Sequence, residues 1–473
     1  MKFIFDFRNG RALAAATWLV AAVGAAGCKD VQNNLLEANA PDIINPSAVQ
    51  SAEGAVALRN GALVRLRLMT TGSGNAGTEG TWLLGGLLAD EWSTSSTFVQ
   101  NDEADERQIS VSNGSVNGSL RAIYRVSLAA NQAIDLLMKY RPTPAPDVAE
   151  MYFARGFAYN QLASDFCNGI PISDARTDPA DLGQPQSVAE MFKLAVASFD
   201  TAIALAGDTS AAGETVTRAA KIGKARALLG LGLDNADAAA TLVSGVPSTF
   251  TYDVTSSLTG GSNGVWSQGL SQRRYSVGDS LEGNAHNLLV KNALPFFSAK
   301  DPRLPVSYTV KKGDTTKAQD GLTYSRTTTL YQQTTSMAVV NGIDARLVEA
   351  EAALHANDPA MMISILNTLR ATSFTLGEVE YAANALPALT DPGTADGRIN
   401  LLFREKAFWT FSRGQRLGDL RRLIREYGRS ADQVFPVGNH YRGTTYGADV
   451  NLPITQDEIN GNPKFTGCTD RKA

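Results

Sequence analysis

Apolar residues recur with the period of an α-helix along most of this 473-residue sequence, and no other feature restricts its fold as strongly. In one stretch, Ala154, Phe157, Ala158 and Leu162 fall on the same face of a helix with 3.6 residues per turn. The pattern predicts amphipathic helices in two blocks, at about 45–245 and 340–430. The other stripes are Phe192, Ala195, Val196, Phe199 and Ile203; Ile222, Ala225 and Leu229; Ile343, Leu347, Ala350 and Leu354; and Met362, Ile365, Leu366 and Leu369.

The predicted helices follow one another closely enough to pack as pairs. Alanine and glycine stand where two helices would cross at short range, and the pairs resemble tetratricopeptide-type hairpins. Their spacing along the chain is irregular, so the sequence predicts degenerate repeats rather than a regular array. A fully α-helical bundle is the alternative that periodicity alone leaves open.

The segment at 247–335 lacks helical periodicity and separates the two blocks. It is rich in Gly, Ser, Thr and Tyr, and it contains short β-type runs such as the one at 306–310. Long stretches without helical pattern inside a folded domain usually carry function. We therefore expect a loop-rich excursion with short strands, and we expect the binding site there or in the polar loop predicted at 93–118.

The N-terminus has the composition of an export signal. Arg8 and Arg11 precede a short apolar run at 12–26, and small residues follow it. This order of basic, apolar and small residues is typical of a secretory signal peptide, here residues 1–27. A membrane-spanning helix needs roughly 20 apolar residues, so the run is too short to be a permanent anchor.

The residue that follows the signal changes the prediction from a secreted protein to a tethered one. Ala25-Ala26-Gly27-Cys28 resembles a bacterial lipobox, which predicts lipidation of Cys28 and a lipid-anchored tether at 28–44. Two or more acyl chains hold a protein on a bilayer. Ordinary signal cleavage, with Cys28 incidental, is the alternative.

The net charge of the chain narrows the kinds of macromolecule that it can bind. The formal net charge is −4, and loss of the basic signal peptide makes the mature chain more acidic. An acidic surface argues against nucleic acid as a partner, because nucleic-acid binding depends on clustered basic residues.

The chain has three cysteines. With Cys28 lipidated, Cys167 and Cys468 remain to form a disulfide in an oxidising compartment, or to stay as two unrelated thiols.

The common signatures of catalysis and cofactor binding are weak here. Residues 72–77 match G-x-G-x-x-G, but the preceding residues predict a helix rather than the strand that a nucleotide-binding unit requires. The histidines, His286, His355 and His440, are far apart in the sequence, and none stands in a metal-ligand spacing with carboxylates. We therefore expect no catalytic residue, no metal and no cofactor.

Aromatic residues in predicted loops are the remaining candidates for ligand contact. An aromatic face is flat and apolar, which suits the C–H face of a sugar ring or an apolar peptide side chain. Each such residue taken alone belongs to the core more often than to a site. The candidates are Trp92, Phe98, Trp266, Tyr275 and Tyr331, with Tyr441 and Tyr446 also in loop sequence.

Four stretches, taken in order, resemble the SusD/RagB family of outer-membrane nutrient-binding lipoproteins over roughly residues 44–463. The first leads into the first helix, the second lies in the excursion, and the last two lie near the C-terminus. They are Ile44-Asn45-Pro46 with Ser51-Ala52-Glu53-Gly54-Ala55; Asp301-Pro302-Arg303-Leu304-Pro305; Arg404-Glu405-Lys406-Ala407-Phe408 with Gly414-Gln415-Arg416 and Asp419-Leu420-Arg421-Arg422; and Leu452-Pro453-Ile454 with Glu458 and Asn462-Pro463.

The resemblance implies a mostly α-helical domain at 45–465, with degenerate tetratricopeptide-like hairpins forming a right-handed superhelical scaffold and an irregular ligand face. It implies a protein on the outer membrane, facing the cell exterior, that captures an oligosaccharide or a peptide. It also implies a partner, a SusC-like TonB-dependent transporter on which the protein acts as a lid.

The C-terminal stretch departs from the commonest family form, which places the chain in a divergent branch. Arg413-Gly414 stands where many members have Gly-His, and Leu417 stands where they often have an aromatic residue. The competing hypotheses are a tetratricopeptide-type assembly lipoprotein and an extracellular glycoside hydrolase, which would need two carboxylates facing each other across a cleft.

Overall fold

The structure is a computed structural model that describes residues 50–73, 79–207, 209–283 and 285–473. The predicted signal peptide, the lipidation site at Cys28, the tether at 28–44 and the first residues of the predicted domain lie outside the described residues. Residues 51–473 form one unit with a continuous hydrophobic core. Within the described residues, every helix is too short or too polar to cross a membrane.

The N-terminal half of the unit is a series of paired helices. The elements are α1 (Ala52–Thr70), α2 (Thr81–Leu88), α3 (Val99–Asp105), α4 (Gly114–Tyr140), α5 (Ala145–Asp165), α6 (Val188–Ala206), α7 (Ala211–Leu231) and α8 (Ala236–Val243), with the short strands β1 (Trp92–Thr94), β2 (Ile170–Pro171) and β3 (Pro185–Gln186). Each long helix packs on its neighbours: α1 contacts α4, α4 contacts α5, α5 contacts α6, and α6 contacts α7.

Small residues allow these helices to approach one another closely. The ring of Phe199 on α6 packs against Gly156 on α5 and Gly223 on α7. A Cβ atom at Gly223 would lie 2.5 Å from the Phe199 ring, and one at Gly156 would lie 2.9 Å from it. Both distances are too short for real contacts, so these glycines set the spacing of the three helices.

The excursion consists of loops and small antiparallel sheets. It contains one short helical turn, α9 (Gly264–Trp266), which continues as a π-helical turn to Ser271. The strands are β4 (Thr251–Val254), β5 (Tyr275–Val277), β6 (Leu281–Glu282), β7 (Leu288–Leu289), β8 (Val306–Tyr308), β9 (Val310–Lys311), β10 (Asp314–Thr315), β11 (Arg326–Thr328) and β12 (Met337–Asn341). Each sheet in the described residues has two strands, and β1 pairs with β5, β4 with β12, and β8 with β11.

The second helical block follows β12 and carries the C-terminal motif. Its first helix begins with the capping box formed by Asn341 and Asp344. The next has Asp358 as its N-cap and Pro359 at its first position. The elements are α10 (Gly342–His355), α11 (Pro359–Ala371), β13 (Phe374–Leu376), β14 (Val379–Tyr381), α12 (Ala395–Trp409), α13 (Arg416–Arg425), α14 (Ala431–Val434) and α15 (Gln456–Gly461).

The predicted fold class is confirmed: the unit is mostly helical, with packed helix pairs and small sheets. The handedness of the superhelix stays a prediction. The predicted polar loop at 93–118 is wrong in detail, because it contains part of β1 and all of α3, and α4 begins at Gly114. Asn113 starts that helix early, since its side chain accepts a hydrogen bond from the backbone N–H of Val116.

Two of the motifs that carry the family resemblance meet in a buried group of charges. Arg303 of the D-P-R motif donates to Asp301 and to Glu405 of the R-E-x-A-F motif, each at 2.8 Å. Arg370 on α11 donates to the same Glu405 carboxylate at 2.9 Å. We call these four residues the ion-pair core. It joins the excursion to α11 and α12, so these motif residues hold the two parts together.

The arginines of α13 bind the C-terminal ends of other helices. Arg421 donates to the carbonyl oxygens of Ala163 and Ser164 at the end of α5, and Arg422 donates to that of Leu229 at the end of α7. The last carbonyls of a helix lack partners within it, so Arg421 satisfies those of Ala163 and Ser164. The carbonyl of Leu229 accepts from Arg422 and also from the backbone N–H of Gly232 at 3.2 Å. The C-terminal motif therefore ties α13 to the N-terminal half of the scaffold.

The C-terminal residues pack back on the fold up to Ala473, beyond the predicted domain boundary at 465. Cys167 and Cys468 are joined by a disulfide with a Cα–Cα distance of 6.0 Å. Beside it, the backbone N–H of Asn168 donates to the carbonyl oxygen of Asp470 at 3.2 Å. The tail is thus attached to the end of α5.

Candidate ligand-binding face

Three segments that are distant in sequence form one continuous surface on the loop-rich part of the unit. The backbone N–H of Asp320 donates to Ser95 O at 3.0 Å, and that of Gln319 donates to Arg273 O at 3.1 Å. The Arg273 guanidinium donates to Lys317 O at 2.7 Å. We call the surface formed by residues 95–99, 273–274 and 317–324 the loop face.

Phe98 is the exposed aromatic residue at one part of the loop face. Its side chain keeps 36% of its surface exposed, and its neighbour Val99 is also exposed. The guanidinium carbon of Arg274 lies 4.8 Å from the centre of the Phe98 ring. This cation–π contact orients the ring. Phe98 therefore offers a partly accessible apolar face next to a charged donor.

Tyr324 supplies a second exposed ring, in the hairpin at 317–324 whose ends form an antiparallel bridge. It is 39% exposed, and Leu322 beside it is also exposed. The ammonium nitrogen of Lys317 lies 3.8 Å from the ring centre, and the Tyr308 ring meets it edge-on at 6.3 Å. The Tyr324 ring is thus supported from behind by an aromatic neighbour and a cation, so it is held in place while part of it faces solvent.

A charged cluster fixes the base of the loop face. The Arg442 guanidinium donates to Ser96 O at 2.8 Å, and its Nε lies 3.2 Å from an Asp102 carboxylate oxygen. The same guanidinium lies 3.7 Å from Asp320. Arg442 therefore connects α3, the 95–99 segment and the hairpin. Burial lowers the pKa of Arg442, but its interactions with Tyr441 and Asp102 outweigh that effect and raise the pKa.

His440, next to this cluster, lies between two carboxylates. Its Nε2 is 3.3 Å from Asp105, and its Nδ1 is 3.3 Å from Glu106. Burial alone would lower the pKa of His440, but the hydrogen bonds to both carboxylates and their charges raise that pKa to about 9. The imidazole is therefore protonated at neutral pH and serves as a buried cation.

Histidine–carboxylate contacts are a feature that the sequence prediction missed. Besides His440, the His286 Nε2 lies 2.7 Å from Asp279. The carboxylates come from elsewhere in the chain or from irregular loops, so no fixed spacing signals them. Even so, the described residues contain no group of three or more His, Cys, Asp and Glu side chains that could hold a metal ion.

Three of the five predicted aromatic contacts lie in the core. Trp92 is 1% exposed and donates from Nε1 to Ser412 Oγ at 3.1 Å, while Tyr275 is 0% exposed and donates to Glu79. Tyr331 is buried and donates to Phe411 O at 3.0 Å. These rings have no free face for a ligand, because β1, β5 and the C-terminal block pack over them. For these residues the predicted ligand contact is wrong.

Trp266 is only partly buried, but the cavity beside it is small. This cavity, which Trp92, Tyr331 and Gly269 also line, has a volume of about 10 Å³. That is room for about one water molecule and not for a sugar ring. Among the five predicted residues, Phe98 is thus the one that lies on the loop face.

The residues that the prediction missed are Arg274 and Tyr324. Tyr324 was visible as one of several tyrosines in the excursion, but nothing in its neighbourhood distinguished it from Tyr308 or Tyr275. Arg274 becomes relevant only through its contact with Phe98, which is distant in sequence. A basic residue beside loop aromatics would have been the signal to follow.

No protein-family model matches this chain, and no curated protein matches it either. Solved structures do match. A SusD superfamily protein from Bacteroides vulgatus is similar at a TM-score of 0.61 and 13% sequence identity, over 89% of this chain and 100% of that one. A SusD-like carbohydrate binding protein from the same species has a TM-score of 0.59 and 14% identity, over 88% and 97% of the two chains.

A third similar structure is surface glycan-binding protein A from Bacteroides uniformis, with a TM-score of 0.58 and 14% identity over 88% of this chain and 99% of that one. The similarity thus covers nearly the whole length of each of these proteins, at 13–14% sequence identity. The chain has the SusD-like fold.

Proposed function

We propose that this protein is a cell-surface lipoprotein that binds a glycan on its loop face and delivers it to a TonB-dependent transporter of the SusC type. The observation that carries the proposal is the full-length likeness to solved structures, two of which are described as carbohydrate- or glycan-binding proteins. The proposed role is binding without bond cleavage, and movement of the protein as a lid would release the ligand into the transporter.

The loop face has the composition that a sugar ligand needs. Phe98 and Tyr324 offer partly exposed rings, and the C–H face of a pyranose packs well on such a surface. Arg274 stands beside the Phe98 ring as a cation, and Arg442 holds the neighbouring 95–99 segment through Ser96 O. A small number of fixed polar groups around an apolar platform is the usual design of a site for a small polar ligand.

The lipid anchor is part of the same proposal. Cleavage before Cys28 and acylation of its thiol and amine would place the domain at the membrane surface, next to a membrane-embedded partner. The polar segment at 28–44, which the sequence predicts to be a tether, would allow the domain to move as a lid. Mass spectrometry of the mature N-terminus tests this step, because an unmodified or absent Cys28 contradicts it.

The partner is tested by purification of the native lipoprotein from solubilised outer membrane, followed by identification of what accompanies it. We expect a TonB-dependent barrel in stoichiometric amount. If the protein is recovered alone, or with components of barrel assembly, the lid role is wrong.

The ligand is tested by titration of glycans and peptides into the full chain. Phe98→Ala and Tyr324→Ala should each weaken glycan binding about 3- to 10-fold, the effect of one lost aromatic contact. Met138→Ala, which truncates an exposed apolar side chain on α4, is the matched control and should bind like the parent. Binding of peptides alone, or hydrolysis of the glycan, would contradict the proposal.

A further inference from the structure

Three aromatic rings of the excursion contact one another in a row, and an ammonium group lies over the ring at each end. The centres of the Phe297 and Tyr308 rings are 4.8 Å apart, and those of the Tyr308 and Tyr324 rings are 6.3 Å apart. The Nζ atom of Lys300 lies 3.9 Å from the centre of the Phe297 ring, and that of Lys317 lies 3.8 Å from the centre of the Tyr324 ring. We call these five residues the basic strip.

The cations at the basic strip have no carboxylate partner. Lys300, Lys317 and the neighbouring Arg273 form no ion pair with an Asp or Glu of the described residues. Lys300 is exposed. The Lys317 ammonium donates to Leu322 O at 2.7 Å, which leaves two of its three N–H donors for other groups. The Nε of Arg273 is buried and has no acceptor within the described part of the chain.

The acidic residues of the same segment do not neutralise these cations. Residues 273–324 contain eight Lys and Arg residues and five Asp and Glu residues, whereas the whole chain contains 43 and 47. Four of the five acids have side chains that are at most 9% exposed, and each contacts an arginine or a histidine: Asp279 with His286, Glu282 with Arg326, Asp301 with Arg303, and Asp320 with Arg442. The fifth, Asp314, lies on β10 opposite Lys311 of β9. An acidic protein thus presents excess positive charge around the basic strip.

Rings that alternate with cations suit a ligand whose flat apolar faces carry negative groups. The C–H face of a pyranose packs on an accessible ring such as Tyr324, and a carboxylate or sulfate on the same sugar accepts charge-assisted hydrogen bonds from lysine and arginine. A neutral glycan would use the rings and leave the cations without partners. Positive potential around a binding surface also attracts anionic ligands and disfavours cationic ones.

We infer that the loop face and the basic strip together select an acidic glycan, one whose sugars carry carboxylate or sulfate groups. This inference rests on the proposed function and names the class of glycan that is bound. The Tyr308 and Tyr324 rings support the sugars, while Lys300, Lys317 and Arg273 bind the negative groups. The charge of the glycan is then the property that distinguishes it from the neutral glycans that aromatic rings alone would accept.

The first test is calorimetric titration of the full chain with pairs of glycans that differ in charge alone. One pair is oligogalacturonate and the same oligosaccharide after reduction of its carboxyl groups, and the other is a sulfated carrageenan oligosaccharide before and after desulfation. We expect the acidic member of at least one pair to bind about tenfold or more tightly than its neutral counterpart. The difference should shrink as sodium chloride rises from about 0.05 to 0.5 M, since salt screens the charges.

The outcomes separate this inference from the proposed function. Equal affinities within both pairs, or binding of neutral glycans alone, would overturn the selection of acidic glycans and leave glycan binding intact. Absence of binding to every glycan would contradict the proposed function itself. Single-stranded DNA is titrated in parallel, because it also combines negative groups with flat rings. The likeness to structures described as carbohydrate- or glycan-binding favours the glycan. Tighter binding of the DNA would overturn the inference.

The second test removes the two ammonium groups and keeps the rings. The double variant Lys300→Gln with Lys317→Gln should bind the acidic glycan about tenfold more weakly and the neutral one like the parent. The neutral glycan controls for folding, because a misfolded variant would lose both affinities. Lys139→Gln on α4 is the matched control, since Lys139 is exposed and its Nζ lies 4.9 Å from the centre of the Tyr140 ring. This control should bind the acidic glycan like the parent. An unchanged affinity of the double variant for the acidic glycan would refute the role of the basic strip.

Discussion

The ion-pair core and the loop face use similar residue types in opposite ways. In the core, Arg303 and Glu405 are fully buried and their charges are matched at 2.8 Å. On the loop face, Arg274 and Lys317 lie over the rings of Phe98 and Tyr324, which remain partly exposed. The ion-pair core thus joins parts of the fold, while the loop face keeps two aromatic rings partly accessible to solvent.

The difference explains why the motifs reveal the fold and not the ligand. The residues that carry the family resemblance, such as those of the D-P-R and R-E-x-A-F stretches, lie in the ion-pair core. Phe98 and Tyr324 lie outside every motif. Two proteins can therefore share the motifs and the architecture while their loop faces bind unrelated ligands.

The largest effect is expected from removal of the acid in the ion-pair core. Glu405→Ala leaves Arg370 buried without a counter-ion and leaves Arg303 with Asp301 alone, and we expect it to lower the free energy of unfolding by about 3–5 kcal/mol. Urea denaturation measures the change. Asp200→Ala, which removes an exposed partner of Lys224, is the matched control and should change the free energy by less than about 1 kcal/mol. Equal effects would contradict the assigned role of the core.

A smaller loss is expected when the C-terminal tail is released. The double variant Cys167→Ser with Cys468→Ser removes the covalent link between the tail and α5, and we expect a loss of about 2–4 kcal/mol in the free energy of unfolding. Limited proteolysis should then cleave the tail first. If the variant unfolds like the parent in both assays, the disulfide does not contribute to the stability of the mature protein.

A pH-dependent contribution is expected from His440 at the base of the loop face. Its pKa in the folded protein is about 9, above the ordinary value of 6.5. The stability that its charge provides is therefore fully present below pH 6.5 and is lost as the pH rises through 9. His440→Gln should be less stable than the parent at pH 6 by on the order of 1–3 kcal/mol, and the difference should shrink towards pH 10. Denaturation at four pH values checks this, and a constant difference would contradict it.

The smallest effect on stability is expected on the loop face itself. Phe98→Ala and Tyr324→Ala truncate side chains that are already partly solvated, so each should change the free energy of unfolding by about 0.5 kcal/mol or less. The same variants should reduce glycan affinity, as stated above. A large loss of stability would show that these rings serve the fold rather than a ligand.

The helical scaffold was predictable because its signal is local. Stripes such as Phe192, Ala195 and Phe199 depend on the 3.6-residue period alone, and the helices that they predict are present. The short helix α3 was missed because its sequence, VQNDEAD, has little apolar pattern. Its position depends on contacts with α2, β1 and α4.

The candidate site was less predictable, because aromatic residues in loops give no local sign of their exposure. Trp92 and Phe98 lie six positions apart in similar polar sequence, yet one is buried and the other exposed. The pairing of β1 with β5 decides this, since it places Trp92 against the core and leaves the following segment on the surface. That pairing joins residues far apart in the chain, so no local pattern encodes it.

The sequence by itself determined the helical class of this protein and its resemblance to a family, because periodicity and ordered motifs are properties of neighbouring residues. It predicted the loop-rich excursion from composition, and it left Cys167 and Cys468 open between a disulfide and two unrelated thiols. Only the tertiary structure decided which aromatic rings reach solvent and which acids compensate Arg303. The exposure of a side chain and the pairing of its charge depend on which distant segments come into contact. Those contacts exist only when the whole chain has folded.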